Sequence, residues 1–330
     1  MKKSHLATAI KAASVVALAA CSMTVFAETT GPDIYGQVRM SMTYDDADER
    51  AQLASGNSRL GFKGTSDLTE NTKLEYRLEY RIDVAESSAG STTNFAARHG
   101  YLAFDNKKYG KILVGRTISH DDYLSTSVAW WRGTGIGYGT AHDAAWVNNT
   151  FVYTSPKFNG DKTQFFAQYG MDEGVGGARS FNTFKDGVAT TVERDFIMAG
   201  VMHEGEKANL NAAYTRAGGD LSSLRLSGTY KASDALTLLG LTQYTDYNSD
   251  DNELGLFAGA EYKINEPWSA WVEASFVDNV GGVASGEYKG INIGAKRDFS
   301  KSTFAFGNIG YADDAADDVV GVEVGMVHRF

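Results

Sequence analysis

The ten residues Lys73-Leu74-Glu75-Tyr76-Arg77-Leu78-Glu79-Tyr80-Arg81-Ile82 decide how this chain folds. Leu74, Tyr76, Leu78, Tyr80 and Ile82 alternate with Lys73, Glu75, Arg77, Glu79 and Arg81, so an extended strand puts every apolar group on one face and every charge on the other. A second sheet cannot cover a face that carries a charge at each position, which counts against a soluble sandwich.

The same period of two recurs on both sides of this stretch. Val38, Met40, Met42 and Tyr44 alternate with Gln37, Arg39, Ser41 and Thr43, and Leu224, Leu226 and Tyr230 alternate with Arg225, Ser227 and Thr229. Leu254, Leu256, Ala258, Ala260 and Tyr262 continue the pattern, and Val320, Val322, Val324, Met326, His328 and Phe330 close it. Phe196 to His203 is apolar on both sides, and its faces stay unassigned. Sixteen strands are expected, at about 33–44, 57–65, 72–82, 95–105, 110–116, 148–156, 162–170, 194–204, 207–216, 222–231, 235–245, 253–263, 267–277, 287–298, 302–311 and 318–330. Three prolines against 36 glycines and 34 Tyr and Phe in 330 residues suit a large antiparallel β protein.

The connections alternate between short turns, such as Asn106 to Tyr109 and Ala232 to Asp234, and longer, often acidic ones, such as Asp45 to Glu49 and Asp313 to Asp317. An up-and-down barrel in the outer membrane has this asymmetry, an even strand number and strands of about ten residues. A spanning sheet has to close on itself, because the hydrocarbon layer offers no water to unpaired peptide groups. Tyr44, Tyr109, Phe151, Tyr153, Tyr230, Trp268, Phe276 and Phe330 are then expected near the two membrane interfaces. The fold class expected is all-β, a 16-stranded antiparallel transmembrane barrel with no second domain.

One stretch interrupts the meander. Thr117 to Val147, TISHDDYLSTSVAWWRGTGIGYGTAHDAAWV, is far longer than an ordinary connection, and such insertions are usually functional. At the N-terminus, Lys2, Lys3 and Lys11, the apolar run Ala12 to Ala20 and the site Val25-Phe26-Ala27 read as a secretory signal over 1–27, leaving a single domain at 28–330. Its removal takes away three lysines and no carboxylate, so the formal net charge moves from −10 to −13. Cys21, the one cysteine, falls in the signal, which excludes disulfides and cysteine metal sites from the mature chain. Leu18-Ala19-Ala20-Cys21 is also similar to a lipoprotein cleavage box, the alternative in which Cys21 is the lipidated N-terminus.

Several ordered segments resemble the Gram-negative general diffusion porins: Asp33-Ile34-Tyr35-Gly36-Gln37, Ser58-Arg59-Leu60-Gly61-Phe62-Lys63-Gly64-Thr65, Val114-Gly115-Arg116, Asn148 to Pro156 and the terminal Phe330. The resemblance covers essentially the whole mature chain. It implies a trimer joined through the early strands, export to the outer membrane of a Gram-negative bacterium, and Phe330 as the signal read by the outer-membrane assembly machinery. It also implies a third external loop folded inward, here about 117–147, with acidic residues facing a basic wall. By position Arg59 and Arg98 match wall arginines, Arg39 joins them by alternation, and Asp121, Asp122 and Asp143 are the acidic candidates on the loop. Two departures stand out: the enterobacterial loop signature Pro-Glu-Phe-Gly-Gly-Asp is absent, and Trp146-Val147 stands where many relatives carry a basic residue before Asn-Asn.

Three functions compete. The first is passive diffusion of ions and small hydrophilic solutes, with weak cation preference because the external loops are acidic. The second is a channel selective for a sugar or organic acid, with Trp130, Trp131, Tyr138 and Trp146 as a stacking track. The third is a barrel hydrolase built on His120, Asp121, Asp122, Ser125, His142 and Asp143. No cofactor is expected, although the acidic loops suit Ca²⁺ or Mg²⁺ bridging to lipopolysaccharide. Outer-membrane lipid, small solutes and like subunits are the expected partners, and no motif points to nucleic acid.

Overall fold

The structure, a computed structural model, describes residues 29–46, 49–85, 95–128, 146–160, 162–171, 182–185, 188–191, 195–218, 221–248, 251–284, 286–314 and 318–330. The expected signal, Cys21, Trp130, Trp131, Tyr138, His142 and Asp143 lie outside the described residues.

The strands are β1 (Thr29–Asp45), β2 (Arg50–Ser55), β3 (Arg59–Thr69), β4 (Thr72–Ile82), β5 (Phe95–Asn106), β6 (Gly110–Ile118), β7 (Trp146–Thr154) and β8 (Thr163–Gly170). After a small hairpin, β9 (Asn182–Lys185) and β10 (Val188–Thr191), come β11 (Phe196–Glu204), β12 (Ala208–Ala217), β13 (Leu221–Lys231), β14 (Leu236–Asp246) and β15 (Asn252–Asn265). The last are β16 (Trp268–Asp278), β17 (Glu287–Asp298), β18 (Thr303–Asp314) and β19 (Asp318–Arg329). Consecutive strands pair antiparallel, β8 joins β11, and β1 pairs with β19 on one side and with β2 and β3 on the other, so the sheet closes. Counting β2 and β3 as one broken strand, the described residues form a sixteen-stranded barrel.

Alternation sorts the faces as the physics of a bilayer requires. Leu224, Leu226, Ile291, Ile293, Val322, Val324 and Met326 point out and are exposed, while Arg225, Ser227, Asn292 and Glu323 between them are buried on the inner side. Phe196 to Glu204 also resolves: Met198 is buried inside, opposite Gln168, and Ile197 points outward. The chain end is tied in by mutual backbone hydrogen bonds of 3.0 and 3.1 Å between Phe330 and Gly36.

Three details depart from the expected pattern. The second strand starts at Arg50 rather than 57 and breaks at Gly56-Asn57-Ser58, where Asn57 has φ 60°. Asparagine tolerates that left-handed backbone, so the strand can break at Asn57 and resume at Arg59. Trp146 and Val147 belong to β7 instead of the loop, pairing with Ile118 and Thr117. The hairpin β9–β10 between β8 and β11 was not anticipated, since its two strands have only four residues each.

Candidate functional site: the lumenal charge ladder

The inner faces of β3, β4 and β5 gather arginines around Glu79, and β1 adds Tyr35. Pairing sets Gly61 opposite Glu79 and Glu79 opposite His99, with Arg59 and Arg77 two residues away along their strands. Glu79, fully buried, takes ion pairs from Arg77 at 2.6 Å, Arg98 at 2.7 Å and Arg59 at 4.0 Å. Tyr35 donates its hydroxyl hydrogen to Glu79 at 2.9 Å and accepts one from Arg77 Nε at 2.6 Å. The Tyr35 ring lies flat on Gly61, where an added Cβ would come within 2.3 Å of it. Three guanidinium groups thus converge on one carboxylate, leaving a local surplus of positive charge.

Arg39 sits apart from this cluster. It pairs with the buried Glu323 of β19 at 3.0 Å and lies 5.0 Å from the centre of the Phe306 ring. The break between β2 and β3 makes room for it: a Cβ on Gly56 would stand 2.4 Å from Arg39 Nε. All three arginines expected from the sequence therefore face the lumen, in two groups with different partners. A lumenal chamber of about 680 Å³ beside them is lined by Tyr35, Arg59, Lys63, Glu75, Arg77 and Arg329.

Trp146, at the start of β7, has Arg98 over its ring at 4.5 Å, Arg116 at 5.6 Å and His99 edge-on at 5.0 Å. Its aromatic face is therefore occupied by the wall.

The described part of the long connection, Ser119 to Val128, begins with a short turn of 3-10 helix, His120–Leu124. It runs along the inner side of the barrel. His120 donates its backbone N–H to Gln168 at 3.0 Å and stacks its ring on Phe166 at 4.7 Å. Burial there holds the imidazole pKa down at about 4. Leu124 is buried in a cluster with Val147, Phe166, Met198, Ala213 and Tyr247. Arg225 donates to the Asp121 carbonyl at 3.2 Å, and Ser227 donates to the Leu124 carbonyl. Asp121 is only 2% exposed and takes a hydrogen bond from the Ser119 hydroxyl, whereas Asp122 is exposed. At the far end, Ser127 and Val128 both bond to Glu273 of β16.

Arg77 and Glu79 were visible in the sequence only as strand alternation, and their joint position with Arg59 and Arg98 follows from the barrel register. Arg225 and Glu273 meet the connection across more than one hundred residues of chain, beyond any local signal. Among the described residues no group of three His, Cys, Asp or Glu is placed to hold a metal ion.

Comparisons with known proteins fit this architecture. A family model described as Gram-negative porin matches residues 7–317. Outer membrane porin protein 32 of Delftia acidovorans is 26% identical over the full length of both chains. Among solved structures, an anion-selective porin from Comamonas acidovorans superposes with a TM-score of 0.70 at 22% identity, covering 92% of this chain and 100% of that one. A trimer form of OmpT from Vibrio cholerae gives a TM-score of 0.68 at 16% identity, covering 92% and 99%.

Proposed function

The chain belongs to the Gram-negative porin family and works in the outer membrane, and from that premise we propose that it forms a water-filled, anion-preferring channel for small hydrophilic solutes. A barrel of sixteen strands is wide enough to leave an aqueous lumen. The observation that carries the reading is the convergence of Arg59, Arg77 and Arg98 on the single carboxylate of Glu79. Acidic external loops would raise the local cation concentration, which is the basis for expecting weak cation preference. Selection is dominated by the narrowest, least screened part of the path, and this reading puts that part at the arginine cluster around Glu79. The name of the Comamonas relative agrees in direction.

Segment 117–147 narrows the lumen in this reading, with Asp122 and Asp143 as its pore-facing acids and Arg39, Arg59 and Arg98 on the wall. The burial of Asp121 supports a structural role for that residue. Free diffusion is favoured over a sugar-stacking track because Arg98 and Arg116 occupy the Trp146 ring. The subunits assemble as a trimer, a form solved for one of the relatives. Divalent cations bridge the acidic external loops to lipopolysaccharide, and Phe330 serves the assembly machinery.

Swelling of proteoliposomes in neutral and charged solutes of graded size tests the function. Fast entry of small sugars, with anionic solutes outpacing cationic ones of equal size, is the expected result. Swelling no faster than that of protein-free liposomes refutes the channel, and faster entry of the cations refutes the preference.

A further inference from the structure

On the lumen side of β15, β16 and β17, pairing sets Glu261 opposite Trp271 and Ser269 opposite Lys296. These four residues, with Arg39 and Val128, line a chamber of about 490 Å³. A second chamber of about 400 Å³ shares Glu261, Ser269 and Lys296 with the first and reaches the short turns at Asp234 and at Glu266-Pro267. Short turns mark the periplasmic end of such a barrel, so the three shared residues stand between the deeper lumen and its periplasmic mouth.

The charges in this row are unevenly satisfied. Arg39 is committed to Glu323. Lys296 reaches Asp298 at 3.2 Å, but the two side chains are 26% and 44% exposed, and a pair so exposed contributes little, so the ammonium group stays available to a solute. Glu261, half-buried, makes no ion pair and no side-chain hydrogen bond among the described residues. Ser269 is 9% exposed, and its Oγ has no hydrogen-bond partner among them either. Glu261 and Lys296 stand two strands apart, at least about 9.5 Å between their backbones at the spacing of neighbouring strands. That separation suits a small solute held by a hydrogen bond of about 2.9 Å at each end.

A simple anion meets Lys296 but is repelled by Glu261, and a simple cation meets the reverse. A solute that carries both charges satisfies one residue with each end, and Trp271 and Val128 offer a wall to its apolar part. We propose that Glu261 and Lys296 form a binding subsite for small zwitterions of the α-amino acid class, with the ammonium group on Glu261 and the carboxylate on Lys296. The Ser269 hydroxyl, between the two, supplies a further partner. The proposal rests on the reading of the chain as a diffusion channel and adds a solute class to it.

Single-channel current noise in planar bilayers, with alanine added at neutral pH, measures the binding. Propionate and ethylammonium, which each keep one charged end of alanine, and uncharged glycerol are the comparison solutes. Wild type is expected to show alanine-induced noise that saturates with concentration, and none with glycerol. In Glu261→Gln and in Lys296→Met alike, the apparent dissociation constant for alanine should rise about tenfold, the loss of one charge-assisted hydrogen bond. A mere change of ion selectivity moves the charged solutes in opposite directions, with E261Q favouring propionate and K296M favouring ethylammonium, and leaves alanine as it was. Heat-dependent migration on a gel identifies folded protein, and either variant carries the test if the other fails to fold. Alanine that acts on a conducting wild type no more than glycerol does, or alanine binding left unchanged by either folded variant, overturns the proposal. A silent wild type overturns instead the channel reading beneath it.

Discussion

Replacing Glu79 by Gln puts the electrostatic account at most risk. Glu79 is the carboxylate shared by Arg59, Arg77 and Arg98, and Gln is nearly its isostere, so the change removes a charge with little change of volume. A unit charge about 7 Å from a permeating ion in water interacts by about 0.6 kcal/mol, and screening at 0.1 M salt roughly halves this. Neutralising Glu79 relieves repulsion of an anion and removes attraction for a cation, so the anion-to-cation permeability ratio rises by about 0.6 kcal/mol in all, roughly threefold. Stability falls by about 3 kcal/mol, the low end for breaking a buried ion pair, because Gln still accepts a hydrogen bond. Reversal potentials across a tenfold KCl gradient measure the ratio, and heat-dependent migration on a gel confirms that the variant is folded. A folded variant whose reversal potential is unchanged, or moves toward cation preference, would refute the reasoning.

Other outcomes follow from the same geometry. Ile293→Lys places a charge on the lipid-facing side of β17 and should cost about 2–4 kcal/mol near the bilayer midplane, whereas Ile293→Leu, which keeps an apolar side chain toward the lipid, should leave stability nearly intact; denaturant titration in vesicles compares them. Trp146→Ala removes the ring beneath Arg98 and Arg116, a loss of about 1–2 kcal/mol in local anchoring, visible as added open-channel noise. His120 has its folded pKa held down at about 4 by burial, below an unfolded value of about 6.5. Its packing on Phe166 is therefore at full strength above pH 6.5 and weakens as pH falls toward 4, because the undocked imidazole takes up the proton first. Channel noise should rise across that window in the wild type and stay flat in His120→Phe.

Much of the barrel was legible in sequence because one physical rule governs every strand: lipid on one side and water on the other impose a period of two. Lys73 to Ile82 shows the rule without exception, and β4 covers Thr72 to Ile82. Legibility failed where a local signal opposed the global one. The second strand, expected only from residue 57, starts at Arg50, and its break at Gly56-Asn57-Ser58 admits the Arg39 side chain before the strand continues. Alternation placed Arg39 on the lumen side, and the resemblance to the porins placed Arg59 and Arg98 there, but neither could say that Arg59 and Arg98 share Glu79 while Arg39 pairs with Glu323. Such partners depend on strand register around a closed circle, which no single segment encodes. The contacts of Arg225 and Glu273 with the third connection cross the lumen and leave no trace in local pattern.

Bilayer recording of the purified wild-type protein in a KCl gradient puts the proposed anion-preferring outer-membrane channel to its most direct test. Conductance that closes in three equal steps per inserted unit, with a reversal potential of anion-selective sign, is the expected result. A reversal potential of cation-selective sign, or insertion without conductance, would contradict it.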